Sequence, residues 1–165
     1  MRLPKRRIRD FDDILDVLKR CPTGHLGLVD EQGPYVVPIS FGFEVVGGDD
    51  GDARVVVWCH SATVGRKIRA IRAGGRVCFE ADHLNEIVKD VPEACDMTAA
   101  YESVIGFGQA QVATDAAEAR RGAAIIVDRY APGASHTLPD PLRPNVAVFK
   151  IELDELTGKR RLRAE

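Results

Sequence analysis

The stretch Val55-Val56-Val57-Trp58-Cys59-His60-Ser61-Ala62-Thr63-Val64-Gly65-Arg66-Lys67-Ile68 limits the fold more than any other, because a β-branched run must give way within a few residues to helical spacing. A strand therefore delivers its end to the start of a helix. Val64, Ile68 and Ile71 recur at i, i+4 and i+7 and predict one buried helical face, with Arg66, Lys67, Arg69 and Arg72 off that face. Ser61 or Thr63 is expected to cap the helix and Gly74-Gly75 to end it. Arg66 and Lys67 then fall in or near the first turn, where free N–H groups and the helix dipole favour negative charge and two fixed cations are unfavourable. A phosphate would resolve that conflict, with Gly65 leaving the backbone open to close approach and Ser61 adding a hydroxyl donor. A solvated basic helix face uses the same residues, and spacing alone does not choose between the two.

On the N-terminal side, Asp10 with Asp13 predicts a capped helix whose apolar face is Phe11, Ile14, Leu15 and Leu18, ending before Cys21-Pro22 and packing across one end of a barrel. Leu26 to Val29 and Tyr35 to Val45 read as two strands around the turn Asp30 to Pro34. Pro38 cannot donate to a ladder, so its strand must be an edge, carry a bulge or break its pairing there. Gly47 to Asp52 is a turn feeding the strand Arg54 to Cys59, and Arg76 to Ala81 is another strand.

Asp82 to Ala100 has no convincing period and reads as a long polar connection. Asp82, His83 and Glu86 lack the further ligand pair a metal site needs, so no metal is assigned. Tyr101 to Val112 is a long strand in which Gly106 and Gly108 mark a bulge or a close backbone approach. A dinucleotide fingerprint is not read there, because the third glycine is missing and no helix opens on it. Asp115 with Glu118 predicts a capping box for a helix with the face Ala119, Ala123, Ile126, Val127 and Tyr130. Ala131 to Pro144 is a proline-rich loop, followed by a closing strand with Val146, Val148 and Leu153, and Thr157-Gly158-Lys159 trailing it. Many short strands without βαβ alternation predict a mainly β chain, an antiparallel barrel with outer helices.

With 165 residues and 45% hydrophobic content, the chain suits a single domain over 1–165, with a basic arm at 1–9 and a tail at 160–165. No apolar run approaches the roughly 20 residues of a membrane span, and no signal-peptide core follows the basic start, so a soluble cytoplasmic protein without membrane contact is expected. Cys21, Cys59, Cys78 and Cys95 are far apart and form no CxxC pair, which indicates neither zinc nor a disulfide framework. The net charge of −2 conceals basic clusters at both ends, Arg2 to Arg9 and Lys159 to Arg163. No aromatic platform or recognition helix accompanies them, so nucleic-acid binding is not expected.

The order Gly33-Pro34-Tyr35-Val36-Val37-Pro38-Ile39-Ser40-Phe41-Gly42-Phe43, then His60-Ser61 with Gly65-Arg66-Lys67, then Tyr101-Glu102-Ser103-Val104-Ile105-Gly106-Phe107-Gly108, resembles the pyridoxamine-phosphate-oxidase-related flavoproteins. Within them it is most similar to the nitroimidazole-resistance branch, over about Arg9 to Lys159. The resemblance implies an FMN-binding split β-barrel that forms a homodimer with the flavin between subunits. Carried over by position, the backbone of Val37, Pro38, Ile39, Ser40 and Phe41 would contact the isoalloxazine edge. Arg66 and Lys67, with Gly65 beside them, would hold the phosphate, and His60 and Ser61 would line the ribityl chain and phosphate. Ser103 stands where relatives present a polar side chain to the ring, from this strand or from the partner subunit.

His60 is the one candidate for acid–base catalysis, its plain alternative being a hydrogen-bonded histidine at a strand end. Pyridoxamine phosphate oxidases proper carry a tryptophan and an Arg/His-bearing signature near the C-terminus, whereas the one tryptophan here is Trp58, which argues against vitamin B6 oxidation. Lys159 resembles the lysine ending the nitroimidazole-resistance pattern. The implied function is an FMN-dependent oxidoreductase that accepts electrons from NAD(P)H or another reductant and reduces a small acceptor, a nitro compound being one candidate. The alternative is a flavin-, deazaflavin- or heme-binding protein without this turnover.

Overall fold

The computed structural model describes residues 4–48 and 52–162. Arg2 and Arg163 of the basic termini, and the middle of the Gly47 to Asp52 turn, lie outside the described residues. A short 3-10 turn at Pro4–Arg6 leads into β1 (Arg7–Ile8) and α1 (Phe11–Arg20). The Asp10 carboxylate accepts from the Asp12 and Asp13 N–H groups at 2.9 and 3.3 Å, as its position predicted, and the face that α1 buries is Ile14, Val17 and Leu18. The strands that follow are β2 (Gly24–Asp30), β3 (Gly33–Ile39), β4 (Phe41–Val46) and β5 (Arg54–Ala62), then α2 (Arg66–Ala73). After it come β6 (Arg76–Val88), β7 (Thr98–Val112), α3 (Ala116–Tyr130) and β8 (Val146–Arg161).

All strands pair antiparallel in one sheet of order β3-β2-β6-β7-β8-β5-β4, with β1 beside β8. The strand predicted over Tyr35 to Val45 is therefore two strands, and they lie at opposite ends of this order. Only Ser40 separates them. Ends of a sheet joined by one residue must be adjacent in space, so the sheet curls into a barrel, and the β3/β4 seam carries no ladder. This is a split β-barrel. Pro38 lies on the edge strand β3, opposite His25, where its missing N–H costs no ladder bond. Ile39 and Phe41 both bury their side chains, so the apolar pattern runs unbroken through the join.

Two further expectations are corrected. The stretch Asp82 to Ala100 is mostly strand: β6 continues to Val88, β7 begins at Thr98, and only 89–97 connects them, with a 3-10 turn at Ala94–Asp96. Beyond Ala81, β6 has no buried residue, and a strand wetted on both faces shows no alternation. Likewise Thr157-Gly158-Lys159 does not trail the closing strand but belongs to it, and residues 160–161 of the expected tail continue it. Ile8 of the expected basic arm pairs with Gly158, whose hypothetical Cβ would stand 2.9 Å from the Ile8 Cβ. A strand of two residues is too short to leave a period in the sequence.

Phe41 and Phe79 meet edge to face inside the barrel, ring centres 5.0 Å apart, among Leu26, Val57, Phe149 and Ile151. α3 covers the outside of β4, β5 and β8, where Ala123 and Ile126 pack on Val56, Trp58 and Val148. Its approach is closest at Gly122, where a Cβ would lie 2.2 Å from Trp58 Cε3. Asp115 accepts from the Glu118 N–H at 2.8 Å, but the Glu118 carboxylate pairs with Lys150 at 3.0 Å rather than closing the capping box. Gly106 and Gly108 do mark a bulge: the β7/β8 register shifts between Phe107 and Gly108, and a Cβ on Gly108 would stand 1.9 Å from the Glu152 carbonyl oxygen. Among the described residues no helix is long and apolar enough to cross a membrane.

Candidate functional site

β5 ends at Ala62 and α2 begins at Arg66, so the predicted strand-to-helix junction forms. Its cap differs from expectation. Gly65, not Ser61 or Thr63, is the N-cap; it has φ 126° and ψ 171°, and no side chain caps the helix. Such a φ is one that only glycine adopts readily, and a Cβ there would meet nothing within 4 Å, so the backbone faces open space. Thr63 instead donates its N–H to the Asn145 carbonyl, and Val64 stands outside the helix, 78% exposed. Ile68, Ala70 and Ile71 carry the buried face, and Gly74 ends the helix with φ 80°.

The first turn of α2 holds Arg66 and Lys67 and no acidic residue. The two cations are placed differently. Arg66 makes a bidentate ion pair with Asp30, Nε and Nη2 each 2.7 Å from a carboxylate oxygen, and Nη2 also reaches the Gly33 carbonyl at 3.2 Å. Its guanidinium lies 4.0 Å above the Tyr35 ring, and the buried Tyr35 hydroxyl has no hydrogen-bond partner among the described residues. The guanidinium beside Asp30 holds that carboxyl below the usual carboxylate range. Lys67 is half-buried, and no carboxylate among the described residues pairs with it. Burial pushes its ammonium below the ordinary lysine range, partly offset by the nearby Cys59 thiol. An unpaired cation, free N–H groups of an uncapped helix start and an unobstructed glycine fit an anionic group.

The remaining candidates group around this junction with one exception. Phe41 pairs with Cys59, and continuing that register sets the exposed Ser40 beside the exposed His60. His60 and Ser61 lie opposite Val148 and Ala147 of β8. Val37, Pro38 and Ile39 approach along β3, Val37 and Ile39 turned toward the core and Pro38 outward. Phe41 is fully buried, and its N–H donates to the Tyr130 hydroxyl at 3.0 Å, which in turn donates to the Pro22 carbonyl.

Ser103 stands apart. It neighbours Val104, and the row Ile39, Gly24, Ala81, Val104 counts three strand steps, about 15 Å at the usual spacing. It faces outward in a row with Asp82 and Lys159. The outer surface of β3, β2, β6 and β7 exposes Val29 and Val36 at 66% each and Ile105 and Phe107 at 39% each. Sequence reasoning missed Asp30 and Tyr35 as neighbours of Arg66, since no spacing links residues 36 and 31 positions apart. Nor did it give a role to His25, which bonds Glu80 through Nδ1 at 3.0 Å on that outer surface.

The family model of pyridoxamine 5'-phosphate oxidase matches residues 10–160. The chain belongs to this family. Among solved structures, members of this fold include a candidate 5-nitroimidazole antibiotic resistance protein from Bacteroides thetaiotaomicron VPI-5482, 28% identical, with a TM-score of 0.75 over 93% of this chain and 85% of that one. The flavocytochrome Anf3 from Azotobacter vinelandii is 24% identical with a TM-score of 0.78, over 95% of this chain and 70% of that one. A FAD and heme binding protein from Mycobacterium smegmatis is 21% identical with a TM-score of 0.77, over 97% and 76% of the two chains. No curated protein sequence matches significantly. The split barrel of the pyridoxamine 5'-phosphate oxidase family is thus the frame in which the α2 junction sits.

Proposed function

We propose that this member of the pyridoxamine 5'-phosphate oxidase family is an FMN-dependent oxidoreductase that passes electrons from NAD(P)H or another reductant to a small oxidised acceptor, with nitro compounds the first to test. The observation that carries the reading is Lys67, a half-buried cation without a carboxylate partner among the described residues, at a helix start that no side chain caps. In this reading Lys67, the α2 N–H groups and the Ser61 hydroxyl bind the FMN phosphate, and Gly65 lets it approach. Arg66 holds the β2–β3 turn against α2 through Asp30. Ser40 and His60 border the same region, and His60 is the group that can hold or give up a proton there. The flavin, when bound, supplies hydride and electron transfer.

A homodimer belongs to the same proposal. The uncovered apolar strip of Val29, Val36, Ile105 and Phe107 supports a second copy as its cover, and Ser103, on that surface, would then serve the partner's site. The candidate nitroimidazole resistance protein and the flavin- and heme-binding neighbours support a redox cofactor on this barrel. The absorbance spectrum of the purified protein separates FMN from deazaflavin and heme. Rapid-mixing reduction by NADH and NADPH, followed by reoxidation on adding a nitroaromatic, tests turnover; bound flavin that no donor bleaches would leave a binding protein instead. Light scattering tests the dimer, and Phe107→Asp is expected to yield a monomer.

A further inference from the structure

The outer face of β2 and β6 gathers three metal-ligating side chains that have no part in the α2 junction. His25 stands directly opposite Glu80 in the β2/β6 ladder, and its Nδ1 lies 3.0 Å from a Glu80 carboxylate oxygen. Asp82 is two residues further along β6; the buried Ala81 between them points inward, so Asp82 shares the outer face with Glu80. The donor atoms of His25, Glu80 and Asp82 all lie within 4.8 Å of one another. Two donors bound to one ion at about 2.1 Å stand about 3 Å apart at a right angle and at most about 4.2 Å apart. The His25–Glu80 pair already has the first spacing, and a small turn of the exposed Asp82 carboxylate supplies the third donor. His83 is outside the set, because alternation turns it to the opposite face of β6. Among the described residues no lysine or arginine forms an ion pair with Glu80 or Asp82. Two carboxylates thus share one patch of sheet without a fixed cation, and Glu80, opposite Ile105 on its other side, is partly withdrawn from water.

We propose that His25, Glu80 and Asp82 bind one divalent transition-metal ion, zinc being the first to test, with water completing its coordination. The imidazole selects the class. A nitrogen donor beside carboxylates suits zinc, cobalt or nickel, whereas magnesium and calcium call for oxygen donors throughout. The ion takes the place of the proton between Nδ1 and the Glu80 oxygen, and the imidazole keeps its one proton on Nε2. Its consequence is mechanical. The β2–β3 hairpin joins the sheet through a ladder of four residues, Gly24 to Gly27 against β6, and an ion held from both strands clamps that short ladder at its end.

The test uses the full-length protein, stripped with a chelator and titrated with zinc chloride by calorimetry and with cobalt chloride by visible absorption. The expected result is saturation at one ion per chain that excess magnesium does not displace, with a rise in thermal midpoint because the ion binds the folded state. His25→Ala, Glu80→Gln and Asp82→Asn should each weaken zinc by about tenfold or more and lose most of that rise, whereas His83→Ala should change neither. Cys95→Ser probes the other candidate set, the exposed Glu93, Cys95 and Asp96 of the 89–97 connection. Absence of saturable zinc binding overturns the proposal, as does binding that survives all three substitutions or that Cys95→Ser removes. A readout on the wild type needs no variant to fold: bound cobalt should shift the imidazole proton resonances of one of the four histidines, and unshifted imidazole signals also overturn it.

Discussion

Replacing Lys67 by Ala should separate ligand binding from stability. In the phosphate reading the substitution removes one charge-assisted contact to a dianion, worth roughly 1.5–3 kcal/mol, and so weakens FMN by about one to two orders of magnitude. The apo-protein should not lose stability through electrostatics. Lys67 has no carboxylate to leave unpaired among the described residues, its charge is partly desolvated, and it stands at the positive end of α2. Arg66→Ala should behave in the opposite way. It strands Asp30, exposes the Tyr35 ring and frees the β2–β3 turn, so its principal effect is on stability, with FMN affinity falling less than for Lys67→Ala. The assay is titration of FMN and of riboflavin, which lacks the phosphate, into wild-type and variant apo-proteins, beside their urea midpoints. Riboflavin should bind all three with similar weakness. If Lys67→Ala binds FMN as wild type does, the phosphate assignment fails and Lys67 is a half-buried helix cation with no part in binding.

Gly108→Ala should be among the most damaging single changes, because its methyl would stand 1.9 Å from the Glu152 carbonyl oxygen in the bulge; a loss of about 3 kcal/mol by denaturant unfolding is expected. Tyr35→Phe should raise stability by about 1 kcal/mol, since the buried hydroxyl it removes has no partner among the described residues; a lower urea midpoint would show that the hydroxyl is satisfied. Asp30, Asp128 and Asp154 have carboxyls held below their ordinary range, by Arg66, Ser135 and Arg76 respectively, so each adds stability that is present above the unfolded carboxylate range and is lost as pH falls through the lowered folded values. Acid unfolding followed by circular dichroism should accordingly set in below about pH 4, with a shallower slope in Asp30→Asn.

Much of the barrel was legible because its parts are local. The Asp10 and Asp115 caps and the glycine end of α2 each depend on residues within a few positions of one another, and the bulge shows in the sequence through Gly106 and Gly108. What the sequence hid was non-local or unpatterned. The break at Ser40 is silent because Ile39 and Phe41 both point inward, and the outer part of β6 is silent because water meets both of its faces. The helix cap was misplaced because Ser61 and Thr63 are better capping residues than Gly65, while the backbone turn needed a positive φ. At the site, the basic first turn could be read but not the division of labour within it. Nothing in the spacing of Arg66 and Lys67 reveals that Asp30 already occupies one of them.

The place of β8 in the sheet bears on how the chain matures during synthesis. The hairpins β2–β3, β4–β5 and β6–β7 each join neighbours in sequence, but among the described residues the β4–β5 hairpin is hydrogen-bonded to the rest of the sheet only through β8, which pairs with β5 and β7 at once. Val56 waits for Glu152. Until residues 146–161 have left the ribosome, the edge of β5 that β8 will take has no ladder partner, and the seam at Ser40 cannot be drawn shut. The nascent barrel is thus an open, sticky sheet for most of its translation, and its last strand is the one whose arrival seals it.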